Sequence, residues 1–187
     1  MIDFLPAFQT FFEHCVGDWT TERTYHYLSH QAVERSHTEF QIRPITLDQK
    51  AKVLADNAFP DRPDLVEMPG YHLDFQTVLE HGERVAHGLN FLFVPDGAGN
   101  GVLTGSYLRD RAYEEAKPMV AQFHFTIATR ELMMTTHYQR VVSVDSITLV
   151  NPALRLRRIL NYHRPAAEDA PLDQIALAGF GVEQKIN

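Results

Sequence analysis

The sequence predicts an all-β fold: an antiparallel up-and-down β-barrel with a helix in front and one further short helix. Two observations carry this. Eight to ten short segments rich in β-branched and aromatic residues follow one another after Trp19, most joined by hairpin-length turns. No internal repeat, low-complexity segment or change of composition divides the 187 residues, so 1–187 reads as one domain. With 44% hydrophobic residues the chain has enough apolar material for a real core.

Phe4, Phe8, Phe11, Phe12 and Cys15 recur at helical spacing and predict an amphipathic helix that Gly17 stops. Trp19 to Tyr27 and Thr38 to Ile45 read as the first two strands, the second ending around Pro44. Leu47 to Asn57 has helix composition, closed off by Pro60 and Pro63. From Tyr71 to Leu79 the alternation is strong: Tyr71, Leu73, Phe75, Thr77 and Leu79 share one face. His81-Gly82-Glu83 reads as a hairpin turn into a strand from Val85 to Pro95. Asp96 to Gly101 is the clearest turn signal and leads to a strand from Val102 to Leu108. Further strands are predicted at Val120–Ala128, Leu132–Gln139, Val141–Val150 and Leu154–Tyr162, with a last one ending near Ile186. A polar stretch, Arg164 to Asp173, precedes that last strand.

The net charge of −7 argues against nonspecific binding to nucleic acid or an anionic membrane surface. No apolar run approaches membrane-spanning length. Met1-Ile2-Asp3-Phe4 lacks the basic start and small-residue cleavage site of a secretory leader. Cys15 is the only cysteine, which excludes an intrachain disulfide and suits a reducing compartment. In its apolar segment it reads as a buried small hydrophobe rather than a nucleophile. The expectation is a soluble intracellular protein. Ten histidines invite a metal reading, but no His-Glu-x-x-His pattern occurs among them, so no metal site is expected. No Gly-x-Ser-x-Gly elbow is present either.

The segment Asn151-Pro152-Ala153-Leu154-Arg155-Leu156-Arg157-Arg158 carries most of the functional information. In a strand, Arg155 and Arg157 project to one face, and Leu154 and Leu156 to the other. On the strand alone, a solvated arginine face over a leucine core is the simpler reading. A barrel of this strand number can hold one small ligand, and two inward guanidinium forks would then await carboxylates or phosphates.

Several segments resemble the S-type phycobiliprotein bilin lyases, the CpcS/CpeS family. Gly17-Asp18-Trp19-Thr20-Thr21-Glu22-Arg23-Thr24-Tyr25-His26-Tyr27-Leu28 is similar to that family's Gly-x-Trp-x-Ser-Gln-Arg-Thr-x-His-x-Leu opening, and Asn151 to Arg157 to its Pro-Asn-Leu-Arg-Leu-Arg segment. Leu92-Phe93-Val94-Pro95, Leu108 to Pro118 and Ala178 to Glu183 resemble further family segments, in the same order along the chain. The resemblance implies a lipocalin-like barrel that binds a linear tetrapyrrole and helps attach it, through a thioether, to a cysteine of a phycobiliprotein.

On that resemblance Arg155 and Arg157 are propionate clamps and Arg23 is a further pocket cation. Asp145 falls where the family has a glutamate and would pair with the pyrrole nitrogens, so Asp145 and Arg155 are the catalytic candidates. Whether Asp145 is also held by a pocket arginine stays open. Tyr71 and Phe75 replace two family tryptophans as aromatic walls, and Ile159 replaces a serine. Trp19 is placed among the ligand-binding residues, although closing the barrel bottom is its simplest role. The implied substrate is a bilin, phycocyanobilin or phycoerythrobilin, with no cofactor required. The implied partner is a phycobiliprotein α or β subunit, with a homodimer or a heterodimer with a related lyase subunit as further expectations. The implied compartment is the cyanobacterial cytoplasm or plastid stroma. Two alternatives remain from the residues: a bilin carrier or partner subunit without catalysis, and a small-anion-binding barrel unrelated to pigments.

Overall fold

The computed structural model describes residues 4–111, 117–167 and 170–186. The Ala112 to Ala116 portion of the Leu108 to Pro118 segment quoted above lies outside the described residues.

A 12-residue helix, α1 (Phe4–Cys15), leads into ten antiparallel strands, with α2 (Leu47–Asp56) inserted after the second. The strands are β1 (Gly17–Tyr27), β2 (Ala32–Pro44), β3 (Gly70–Leu79), β4 (Arg84–Gly99) and β5 (Val102–Arg109). They continue as β6 (Met119–Thr126), β7 (Glu131–His137), β8 (Val141–Asn151), β9 (Leu154–His163) and β10 (Ile175–Ile186). Each strand pairs with its sequence neighbours, and β10 returns to β1, closing the barrel. Closure removes every free strand edge. The all-β up-and-down barrel with two helices is therefore borne out.

Two boundaries differ from the sequence reading. Strand β2 starts at Ala32 rather than near Thr38. Its first half is polar on both faces and carries no alternation to read. Strand β4 runs through the glycine-rich stretch to Gly99, with a register shift between Pro95 and Gly97 that absorbs the irregularity. The turn proper is Asn100-Gly101, both at positive φ (51° and 78°), the geometry of a tight hairpin turn.

Two helices bury β4 and β5 on both sides, which explains the unbroken apolar run Leu92-Phe93-Val94. Inside the barrel, Phe8 of α1 stacks on Phe123 at 5.0–5.5 Å from four neighbouring rings, those of Phe12, Phe93, Phe123 and Phe125. Outside, Val53 and Leu54 of α2 pack with Leu92, Val94 and Leu108. The α2 start is fixed by a capping box: Gln49 N–H donates to Thr46 Oγ1 at 3.3 Å and Thr46 N–H to Gln49 Oε1 at 2.8 Å. Helix α1 thus plugs the end of the barrel at which β1 begins. No described helix is long and apolar enough to cross a membrane.

Candidate functional site

Above the plug lies a cavity of about 380 Å³, within the range of small-molecule sites. Two strands of its inner wall have inverted polarity. On β9, Arg155 and Arg157 point inward while Leu156, 45% exposed, points out. On β10, Gly179, Gly181 and Glu183 face inward, and Phe180 and Val182 are half-exposed outside. The solvated-arginine reading of β9 is overturned by the barrel's closure, which fixes the phase of every strand.

Register stacks the charged groups in two inner rows. Thr21, Glu183 and Arg155 lie side by side across β1, β10 and β9, and in the next row Arg23, Gly181 and Arg157 do the same. Glu183 is fully buried, and its Oε2 accepts from both Nε (2.9 Å) and Nη2 (2.6 Å) of Arg155. Arg155 is itself 4% exposed and lies over the rings of Trp19 (4.6 Å) and Phe40 (5.3 Å), a desolvated cation–π contact. Arg23 Nη2 approaches the other Glu183 oxygen at 3.6 Å. Burial works to raise the Glu183 carboxyl, but Arg155, then Arg157 and Arg23, outweigh it and hold it below its ordinary value.

Asp145, on β8, finds a pocket arginine. Its Oδ1 accepts from Arg157 Nε at 2.9 Å and its Oδ2 from Arg157 Nη2, a two-pronged fork. An ionised carboxylate has about four lone-pair sites, so two remain to face the cavity.

The sequence-predicted residues therefore divide. Arg23, Arg155, Arg157, Asp145 and Phe75 all line the cavity. Trp19 and Tyr71 are not among the lining residues. Trp19 is 0% exposed beneath Arg155, where its Nε1–H donates to Cys15 O at 2.9 Å, and it closes the floor, the simpler of the two roles its sequence position offered. Tyr71, assigned to the aromatic wall, stacks on Phe12 at 5.0 Å, and it is Phe12 of α1 that fronts the cavity. Burial pushes the Tyr71 phenol up, as suits a ring packed behind the plug.

Sequence reasoning missed Glu183 as a site residue. The available signal was its phase with Gly179 and Gly181, small residues that leave room for the Tyr25 ring and the Arg23 stem. It also missed Arg109, buried on the opposite wall. Arg109 donates to Tyr138 Oη (3.1 Å) and Thr136 Oγ1 (3.4 Å), with its guanidinium 5.3 Å from the Tyr107 ring centre. Cys15 sits at the cavity floor, where burial pushes its thiol up against the opposing pull of Arg155. A thiol so placed is a poor nucleophile at neutral pH. Among the described residues, no group of three or more His, Cys, Asp or Glu side chains is placed to hold a metal ion.

The chemistry on offer is recognition of a largely apolar ligand bearing carboxylates or phosphates, on a wall of aromatic rings with cations clustered on one side.

Comparisons with known proteins place the chain in a family. A family model described as "CpeS-like protein" matches residues 7–186. "Chromophore lyase CpcS/CpeS 1" of Synechococcus sp. (strain JA-3-3Ab) is 54% identical over 182 residues, which cover 97% of this chain and 98% of that one. "Phycocyanobilin lyase subunit CpcS" of Picosynechococcus sp. (strain ATCC 27264 / PCC 7002 / PR-6) is 23% identical over 79% of this chain and 74% of its own. The solved S-type phycobiliprotein lyase CPES from Guillardia theta superposes with a TM-score of 0.76 at 15% identity, covering 100% of this chain and 98% of that one, and so shares the fold.

Proposed function

The chain belongs to the CpeS-like family, and from that membership we propose that it is a phycobiliprotein lyase, binding a linear tetrapyrrole and assisting its thioether attachment to a phycobiliprotein cysteine. The observation that supports this best is the cluster of Arg23, Arg155 and Arg157 facing an aromatic wall across one cavity. Such a cluster inside an acidic protein suits a hydrophobic ligand with two carboxylates.

In this reading the clamp that the resemblance gives to Arg155 and Arg157 passes to Arg157 and Arg23, because both donors of Arg155 are taken by Glu183 and Arg155 supplies fixed positive charge at the floor. Phe75 forms part of the ring wall. The spare lone pairs of Asp145 accept from pyrrole N–H groups and favour the protonated chromophore. The acceptor's sulfur adds to ring A, its proton ending on the pigment, so no redox partner or cofactor is required. Acceleration comes from orientation of bilin and thiolate and from exclusion of wrong additions. Cys15 takes no part.

The bilin would be phycocyanobilin or phycoerythrobilin and the acceptor a phycobiliprotein α or β subunit. The protein would work as a homodimer or with a related lyase subunit, in a cyanobacterial cytoplasm or plastid stroma. The test is reconstitution with phycocyanobilin and separate apo-subunits, read by absorbance and by pigment that stays on the acceptor in acid. Acid-stable pigment is expected. Pigment bound by this protein with none transferred would reduce it to a carrier, and no absorbance change at all would remove the bilin reading.

A further inference from the structure

Glu183 is held unequally by the two arginines beside it. It is the most deeply buried carboxylate of the cluster, and only one of its oxygens is hydrogen-bonded: Oε2 takes both N–H groups from Arg155. Oε1 has no hydrogen-bond partner, and the nearest cation, Arg23, stands off at 3.6 Å. Arg23 Nε is likewise buried without a hydrogen-bond partner. Two opposite charges therefore sit side by side, each with an unmet polar atom, in a contact too long to be a good hydrogen bond. Beside them β10 presents Gly181, where an added Cβ would meet Thr21 Oγ1 at 3.0 Å and Arg23 Cγ at 3.3 Å. With no side chain there, Arg23 has room along the cavity wall.

The local charge balance adds a second argument. Three arginines, Arg23, Arg155 and Arg157, face two carboxylates, Asp145 and Glu183. The two carboxylates of the ligand must therefore share these arginines with two carboxylates that the protein already supplies.

We propose that Glu183 is the resident anion of this site, competing with a pigment carboxylate for the arginine cluster: it ties Arg155 to the fold and holds Arg23 loosely enough for that guanidinium to pass to the ligand. This rests on the lyase reading above. Its consequence is kinetic, because a protein that must hand its pigment on is served by a site whose own carboxylate opposes retention.

The experiment titrates wild type, Glu183→Gln, Arg23→Gln and the double variant with phycocyanobilin by absorbance, then times transfer to an apo-subunit. Glu183→Gln is expected to bind about tenfold or more tighter, by loss of carboxylate–carboxylate repulsion in a poorly solvated site, and to transfer more slowly. Arg23→Gln is expected to bind about tenfold weaker, and the double variant to lose the gain. A folded Glu183→Gln that binds equally or more weakly overturns the proposal. If that variant does not fold, Arg23→Gln decides: unchanged affinity overturns the proposal, and weakened affinity with a thermal midpoint near wild type supports it. Wild type that takes up no phycocyanobilin sinks the lyase reading and this inference together; wild type that binds, with no tightening in Glu183→Gln, sinks this inference alone.

Discussion

Arg155 and Arg157 look equivalent in the sequence, two residues apart on one strand face, yet truncating them should have unequal effects. Arg155→Ala removes both hydrogen-bond donors of Glu183, whose side chain is 0% exposed, and leaves a carboxylate buried in an apolar floor. Breaking a buried pair from one side costs about 3–5 kcal/mol. Loss of the guanidinium over Trp19 adds up to about 2 kcal/mol. In a domain of this size each kcal/mol moves the thermal midpoint by about 2–4 °C, so Arg155→Ala should melt roughly 6–28 °C below wild type. Arg157→Ala frees Asp145, whose side chain is 18% exposed and borders the cavity, where water reaches it. Losing charged hydrogen bonds of that kind costs about 1–3 kcal/mol, or roughly 2–12 °C. The assay is thermal unfolding followed by circular dichroism at pH 7 without ligand. Equal midpoints, or an Arg155→Ala within 3 °C of wild type, would refute the division of labour between the two arginines.

Three further outcomes are expected. Asp145→Asn should blue-shift or weaken the long-wavelength band of bound phycocyanobilin, because an amide cannot stabilise a protonated chromophore; an unaltered spectrum discards that role. Gly105→Ala should lower the thermal midpoint by roughly 2–12 °C, since the new Cβ would press on Val94 O and come within 2.6 Å of the Phe123 ring; a midpoint at wild type would show that the β4–β5 wall yields freely. Glu183 should give the protein an acid limb. Its carboxyl is held below the ordinary value of 4.5, so its stabilisation is complete above about pH 4.5 and is lost as the pH falls through its folded value. A Glu183→Gln variant losing midpoint as steeply as wild type below pH 4.5 would assign that limb to other groups.

What the sequence made legible was local. The phenylalanine spacing marked α1 over Phe4–Cys15, and alternation marked β3 and its facing set. Gly82, at φ 89°, marked the β3–β4 turn. Asp96 to Gly99 misled because glycine and aspartate weaken a strand locally, while pairing with β5 and a bulge hold it in the ladder. The partners of the site residues were not legible, since Arg155 and Glu183 are 28 residues apart and meet only through the β9–β10 register. Hydrophobic phase also reads β9 and β10 upside down. Leu156, Phe180 and Val182 face out, because this wall of the barrel is built to meet charge.

That inversion explains why the plug and the charged floor belong to one device. Cations facing a wet lumen would be screened and weak; cations above a solid aromatic plug sit in a medium where a carboxylate is worth holding. The end of α1 is fastened to this floor through its own last carbonyls, with Trp19 Nε1–H donating to Cys15 O at 2.9 Å and Lys185 Nζ to His14 O at 2.7 Å. These donors satisfy groups that a helix C-terminus leaves unpaired. Arg155 then rests on the Trp19 ring, Glu183 on Arg155, and Arg23 leans on Glu183. Each member is fixed by the one below it, and the bonding loosens upward, from hydrogen-bonded helix carbonyls to a single 3.6 Å contact at Arg23. A site ordered in that way is rigid where it must exclude water and yielding where a ligand carboxylate must be exchanged.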